Sequence, residues 1–127
     1  MDVRTHLMIS SELVGKPLSL APGSAMVRLI TTDQMKADDR QLVHGGFTFG
    51  LADYAAMLAV NDPNVVLGSA ECRFLAPVKV GETLIAEARI EEGVGKKKRV
   101  ICNVSTGKPV FEATFTCFVL DRHIFDQ

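Results

Sequence analysis

The chain has 127 residues, 47% of them hydrophobic and 23% charged, with 14 basic and 15 acidic side chains and a formal net charge of −1. That length suits one domain, and the near-neutral balance offers no basic surface for a nucleic-acid partner. No apolar run approaches the roughly 20 residues of a bilayer span, and the first residues lack the apolar core of a signal peptide.

The cysteines, Cys72, Cys102 and Cys117, are odd in number and widely spaced, without metal-ligand spacing. Each falls in a strand pattern and reads as a buried reduced thiol, which implies a cytoplasmic location. With a mean hydropathy of +0.19 the chain is apolar for so small a protein, which suggests a subunit interface.

Residues 1–23 carry turn material at Gly15-Lys16-Pro17 and Ala21-Pro22-Gly23. Residues 7–9 are compatible with a short strand, and the rest of the segment with an extended arm. Residues 25–31 read as a strand, and the polar stretch 32–40 as a loop.

Residues 43–60 are the only long segment with helical apolar spacing. Phe47, Leu51, Ala55 and Leu58 form one stripe, widened by Ala52, Ala56 and Ala59. Asn61-Asp62-Pro63 is expected to stop the helix, because a residue before proline avoids the α region. Gly45 and Gly46 open it, where a helix has unpaired N–H donors and a partial positive charge. Asp53 is the only charged side chain between His44 and Val60, and it points away from the stripe. A helix this apolar is covered on most sides. Its carboxylate therefore either pairs locally on an exposed flank or faces a cleft, a partner subunit or a cavity. Exposed donors plus a carboxylate are the parts needed to polarise and attack a carbonyl.

Four strand patterns follow, at 65–74, 83–91, 98–105 and 110–120, with turns at 92–95 and at Thr106-Gly107-Lys108. In the first, Val66, Gly68, Ala70, Cys72 and Phe74 share a face. In the last, Phe111, Ala113, Phe115, Cys117 and Val119 point inward. A helix after one strand, then four antiparallel strands in a meander, gives an α+β protein in which a curved sheet of about five strands covers the helix.

Two motifs carry a family resemblance. His44-Gly45-Gly46, four residues, then Leu51-Ala52-Asp53 resembles the signature of hotdog-fold acyl-CoA thioesterases of the phenylacetate-pathway-like (PaaI-like) group. The block Arg73-Phe74-Leu75-Ala76-Pro77-Val78-Lys79-Val80-Gly81-Glu82 matches the same family's pattern. The resemblance implies a single hotdog domain over residues 1–127. It implies that the Gly45 amide binds the thioester oxygen and that Asp53 is base or nucleophile in a site shared by two subunits. Gly46 is a second donor. His44 stands at the edge of the site, either fixing the loop before the helix or touching substrate.

Phe74 and Pro77 line the acyl or pantetheine channel by resemblance, and strand-end packing is the plainer alternative for Phe74. Lys97, in the run Lys96-Lys97-Lys98-Arg99, either caps a solvated hairpin or attracts the phosphates of coenzyme A. Two positions depart from the family pattern. Asp38 stands where relatives carry a polar residue before the His. Leu67 or Ser69 stands where they carry a hydroxyl or amide that positions water.

The expected function is hydrolysis of a small or medium acyl-CoA by a homodimer or a dimer of dimers. Coenzyme A enters as part of the substrate, with no other cofactor, no metal, no nucleic acid and no membrane. The rival is a non-catalytic acyl-CoA-binding or sensing protein, because the chain more distantly resembles the effector domain of a malonyl-CoA-responsive repressor. A hydratase would need another acid–base set, for which only His44 and Asp53 are at hand.

Overall fold

The computed structural model describes residues 2–127. In chain order the elements are α1 (Ser11–Val14), β1 (Lys16–Ala21), β2 (Ser24–Ile30), α2 (Gly45–Val60), β3 (Val65–Phe74), β4 (Thr83–Val94), β5 (Lys97–Ser105) and β6 (Pro109–Val119). Short 3-10 turns sit at Asp33–Met35 and Ile124–Asp126. The six strands form one antiparallel sheet in the order β1-β2-β4-β5-β6-β3, curved around the 16-residue α2. This is the hotdog fold.

The helix is buried almost all round. Leu51, Ala55 and Leu58 are fully enclosed, as the stripe predicts, and Ala52, Tyr54, Ala56, Met57 and Ala59 are buried as well. Phe47 is half-buried. Opposite them the sheet supplies Val27, Leu29, Leu84, Val100, Phe111 and Phe115. Each such side chain removed from water contributes roughly 1.5–3 kcal/mol, which offsets the entropy of ordering the chain.

The helix ends one step earlier than a proline stop requires. Asn61 takes the left-handed conformation (φ 54°, ψ 43°), and its amide donates to the Met57 carbonyl at 2.8 Å. Its side chain then clasps the N-terminal segment. Oδ1 accepts from the Arg4 amide, and Nδ2 donates to the Asp2 carbonyl, both at 2.8 Å.

Several expectations are corrected. The sheet has six strands, because Lys16–Ala21 pairs with β2. This strand is short, only Leu20 in it is partly buried, and it begins in Lys16-Pro17, which reads as turn material in sequence. Residues 7–9 make a turn rather than a strand, and residues 2–23 are folded onto the domain rather than forming an arm. His6 is half-buried, with its ring centroid 6.2 Å from that of Tyr54. Burial lowers its pKa.

The meander holds only for β4, β5 and β6. β3 pairs with β6, and β4 pairs with β2, so the chain crosses the sheet after the helix. β3 is therefore an edge strand, exposed from Gly68 onward. Between Leu67 and Ser69 its register slips at Gly68, where a Cβ would run into the Phe118 ring, so the bulge is closed to larger residues. The bulge breaks the single alternation expected for β3. Cys72 lies opposite Ala113 yet is exposed, because β3 is the edge of the sheet, whereas Cys102 and Cys117 are buried as expected. The expected turn at 92–95 is mostly strand, since β4 runs to Val94 through a bulge after Ile90.

Candidate active site

The entry to α2 is pinned from two sides. The Val43 amide donates to the Val78 carbonyl at 2.8 Å and the His44 amide to the Met35 carbonyl at 2.9 Å. Beyond this clamp the helix begins without a side-chain cap and without an acidic residue in its first turn. The Phe47 amide closes on the His44 carbonyl at 3.1 Å. The Gly45 and Gly46 amides stand at the open, electropositive end.

Both glycines have aromatic neighbours. A Cβ on Gly45 would lie 3.0 Å from Phe74 Cε1, and one on Gly46 would lie 3.0 Å from the His44 ring. The His44 ring meets Phe47 edge to face at 6.2 Å. Phe74 meets Phe111 at 5.0 Å and 71° yet stays 56% exposed. It is thus a shelf over the helix end rather than a core residue. Phe49 turns the other way and packs edge-on against Phe111 and Phe115.

Asp53 lies two turns further on. Its Oδ1 is enclosed and has no hydrogen-bond partner among the described residues. Desolvation by burial raises its pKa from 3.8 to about 6, because the charged form cannot be hydrated there. The carboxylate stands near Cys117, whose thiol is pushed up to about 12 by burial and by the Asp53 charge. Cys117 pairs with Leu67 across β6 and β3. Asp53 thus faces the gap between α2 and the β3 edge of the sheet.

The structure gathers His44, Gly45, Gly46 and Phe74 into one corner. Pro77 is exposed on the turn after β3, one residue before the Val78 carbonyl that holds Val43. Within the protomer Asp53 is apart from this corner. Eight residues at 1.5 Å rise separate it from Gly45 by about 12 Å along the helix. Lys97 is further away. It lies opposite Phe118 on β6, whereas Phe74 lies opposite Phe111. Seven residues of strand amount to roughly 23 Å. Lys97 lines a groove of about 490 Å³ on the outer face of the sheet with Ser69, Glu71, Glu92 and Arg99.

Sequence reasoning identified Phe111 and Cys117 only as inward-facing strand residues. The contact of Phe111 with Phe74 depends on the β3–β6 pairing, and that of Cys117 with Asp53 on the packing of α2 against the sheet, and no local pattern signals either.

Residues 41–101 match the family model of the thioesterase superfamily. An uncharacterized protein of Pyrococcus horikoshii is 56% identical and superposes with a TM-score of 0.98, covering 99% of this chain and 98% of that one. The Escherichia coli PaaI protein from the phenylacetic acid degradation operon is 26% identical, with a TM-score of 0.79 over 87% of this chain and 83% of its own.

Among curated proteins, methylthioribose-1-phosphate isomerase of Aquifex aeolicus is 56% identical over 123 residues, 95% of this chain but 27% of that protein. Transcription factor FapR of Caldanaerobacter subterraneus is 26% identical over 94% of this chain and 60% of its own length. The chain therefore spans about a quarter of the first of these curated relatives and three fifths of the second. It belongs to the thioesterase superfamily, in the hotdog-fold group that resembles PaaI.

Proposed function

We propose that the chain is an acyl-CoA thioesterase that hydrolyses small or medium acyl-CoAs as a symmetric dimer. The observation that carries this reading is that one helix carries both an uncapped glycine end and a carboxylate whose enclosed Oδ1 has no hydrogen-bond partner among the described residues. The first suits a developing oxyanion and the second suits a base or nucleophile.

The two groups are too far apart in one protomer to act on one carbonyl carbon. An unpaired β3 edge offers a way to join them, since its free N–H and C=O groups are a template for another strand. Gly45 lies against Phe74, and Asp53 lies near Cys117 and hence near Leu67. A two-fold axis between Ala70 and Glu71 would set Phe74 opposite Leu67 of the partner subunit. Gly45 would then approach Asp53 of the partner subunit, and two identical sites would form.

In each site the thioester oxygen accepts a hydrogen bond from the Gly45 amide, with the Gly46 amide beside it. Asp53 then follows one of two routes. As a base it takes a proton from water as the hydroxyl adds to the carbonyl carbon. The C–S bond breaks, and the proton passes to the departing thiolate. As a nucleophile it displaces the thiolate to form an anhydride, which water then opens. The products are the same, a carboxylic acid and free coenzyme A.

Phe74 and Pro77 flank the route to the donor glycines. The two-fold relation would also carry Lys97, level with Val66 through their shared partner Phe118, towards Leu75 of the partner subunit. There its charge suits the coenzyme A phosphates. His44, uncapped and exposed, is a rim contact.

A second reading is favoured by the similarity to FapR over almost the whole chain, namely that the chain binds acyl-CoA without hydrolysing it. Asp53→Asn separates the two readings. An enzyme that depends on Asp53 loses at least ~100-fold in turnover, the usual scale for an acid–base group, while ligand affinity changes little. Unchanged thiol release by the variant would sink the mechanism. Absence of hydrolysis by the unaltered protein across a panel of acyl-CoAs, with binding retained, would select the binding role.

A further inference from the structure

We propose that residues 121–127 of each subunit close the substrate channel of its neighbour, with Ile124 and Phe125 as the side chains that seal it. The inference rests on the shared-site reading above and adds a third element to that site.

Where β6 ends, the chain is held firmly. The Val119 amide donates to the Lys96 carbonyl at 2.7 Å, and the Leu120 amide to the Asn64 carbonyl at 3.2 Å. Asp121 pairs with Lys96 at 2.7 Å. The next residues close on themselves. The Phe125 amide donates to His123 Nδ1 at 3.0 Å and the Asp126 amide to the His123 carbonyl at 2.8 Å. Gln127 Nε2 donates to the Arg122 and His123 carbonyls at 2.9 and 3.1 Å.

This fixed turn displays two large apolar side chains, Phe125 almost bare and Ile124 half-covered. Phe125 is 89% exposed and Ile124 49% exposed. A turn braced by several hydrogen bonds around two adjacent exposed apolar groups fits a surface that is covered in the assembly.

The proposed two-fold relation names the cover. Leu120 is bonded to Asn64, the residue before β3. About the proposed axis between Ala70 and Glu71, that end of β3 would lie beside the turn that follows Phe74 of the partner subunit. This turn is apolar too, with Leu75 42% exposed next to the 56% exposed Phe74. It leads through Val78 to the clamp on Val43 and so to the donor glycines. Ile124 and Phe125 would meet Phe74 and Leu75 of the partner subunit there. They would wall off the thioester from water and give the pantetheine arm an apolar side.

The assignment also fixes which subunit serves which site. Phe125 works at the site that uses Asp53 of its own chain and Gly45 of the partner subunit.

Two measurements test this. The chain contains no tryptophan, so Phe125→Trp introduces a single probe. In the dimer its emission should be blue-shifted and protected from a soluble quencher. Solvent-like emission from a protein that light scattering shows to be dimeric overturns this proposal alone, whereas a monomer overturns the shared site as well.

The second measurement uses mixed dimers of Gly45→Val and Asp53→Asn chains, whose one working site takes Asp53 from the former and Gly45 from the latter. Adding Phe125→Ala to the Gly45→Val chain should raise KM at that site by about tenfold, the scale of one lost apolar contact. Adding it to the Asp53→Asn chain should leave KM unchanged. Equal effects from both arrangements overturn the proposal, and inactivity of the parent mixed dimer overturns the shared site. Should Gly45→Val fail to fold, the tryptophan measurement decides.

Discussion

The two ends of α2 are built on opposite plans. At the C-terminal end the capping residue is bonded through both backbone and side chain. Asn61 adopts the left-handed conformation, bonds the Met57 carbonyl and grips Asp2 and Arg4 with its side chain. At the N-terminal end the helix starts without a cap, on two glycines, with an exposed aromatic shelf beside them. A cap there would have stabilised the protein by about 1 kcal/mol. One end is finished for stability, and the other is left unfinished in a way that suits an incoming anion or carbonyl oxygen. Asp53 stands between them and shares the unfinished character, as an enclosed carboxylate with an unpartnered oxygen.

The comparison can be broken at its finished end first. Asn61→Ala removes both side-chain bonds and forces alanine into a left-handed backbone. A loss of about 2–3 kcal/mol in urea unfolding is expected, with turnover per folded protein preserved. A loss below about 0.5 kcal/mol would mean that the clasp on residues 2–4 is incidental.

A smaller effect is expected from Asp53, and its sign is set by linkage. Its folded pKa of about 6 lies above the ordinary 3.8. The native state then binds more protons than the unfolded state between these values, so stability falls as pH rises from about 4 to about 6 and levels off above. Allowing for its partial exposure, the drop is about 1–2 kcal/mol. Unfolding as a function of pH checks this, and Asp53→Asn should flatten the slope in that window. The same group would make kcat/KM rise about tenfold per pH unit below pH 6 and reach a plateau above. A profile flat from pH 5 to 8 would dissociate Asp53 from the chemistry.

The smallest effect sharpens the open end. His44→Asp supplies the missing cap and complements the helix dipole, so the fold should gain about 1 kcal/mol. A carboxylate beside the Gly46 and Phe47 amides should also repel a developing oxyanion and lower turnover by at least about tenfold. A variant that is stabilised and equally active would show that the open end has no part in turnover.

Much of this was legible in the sequence for a physical reason. Helix and strand periodicities are local, so α2, β2 and the alternation in β4, β5 and β6 follow from residue order. The glycine pair and the lone Asp53 were visible because each violates the pattern around it. The motif spacing added the resemblance to hotdog thioesterases, and the thioesterase superfamily match and the fold agree with it. The strand β1 escaped because its two ends, Lys16-Pro17 and Ala21, read as turn material and leave only Leu18 and Leu20 to alternate.

Tertiary structure alone decided the rest. That β3 leaves the meander for the far edge of the sheet follows from its pairing with β6, a contact between residues some 40 to 50 positions apart. From that one pairing come the exposure of Cys72 and the shelf of Phe74 on Phe111 over Gly45, while the packing of α2 against β6 brings Asp53 near Cys117. The rise of the Asp53 pKa belongs here too, because desolvation is set by what packs around a carboxylate and not by its neighbours in the chain. Sequence chose the groups. The crossing of one strand decided which of them meet.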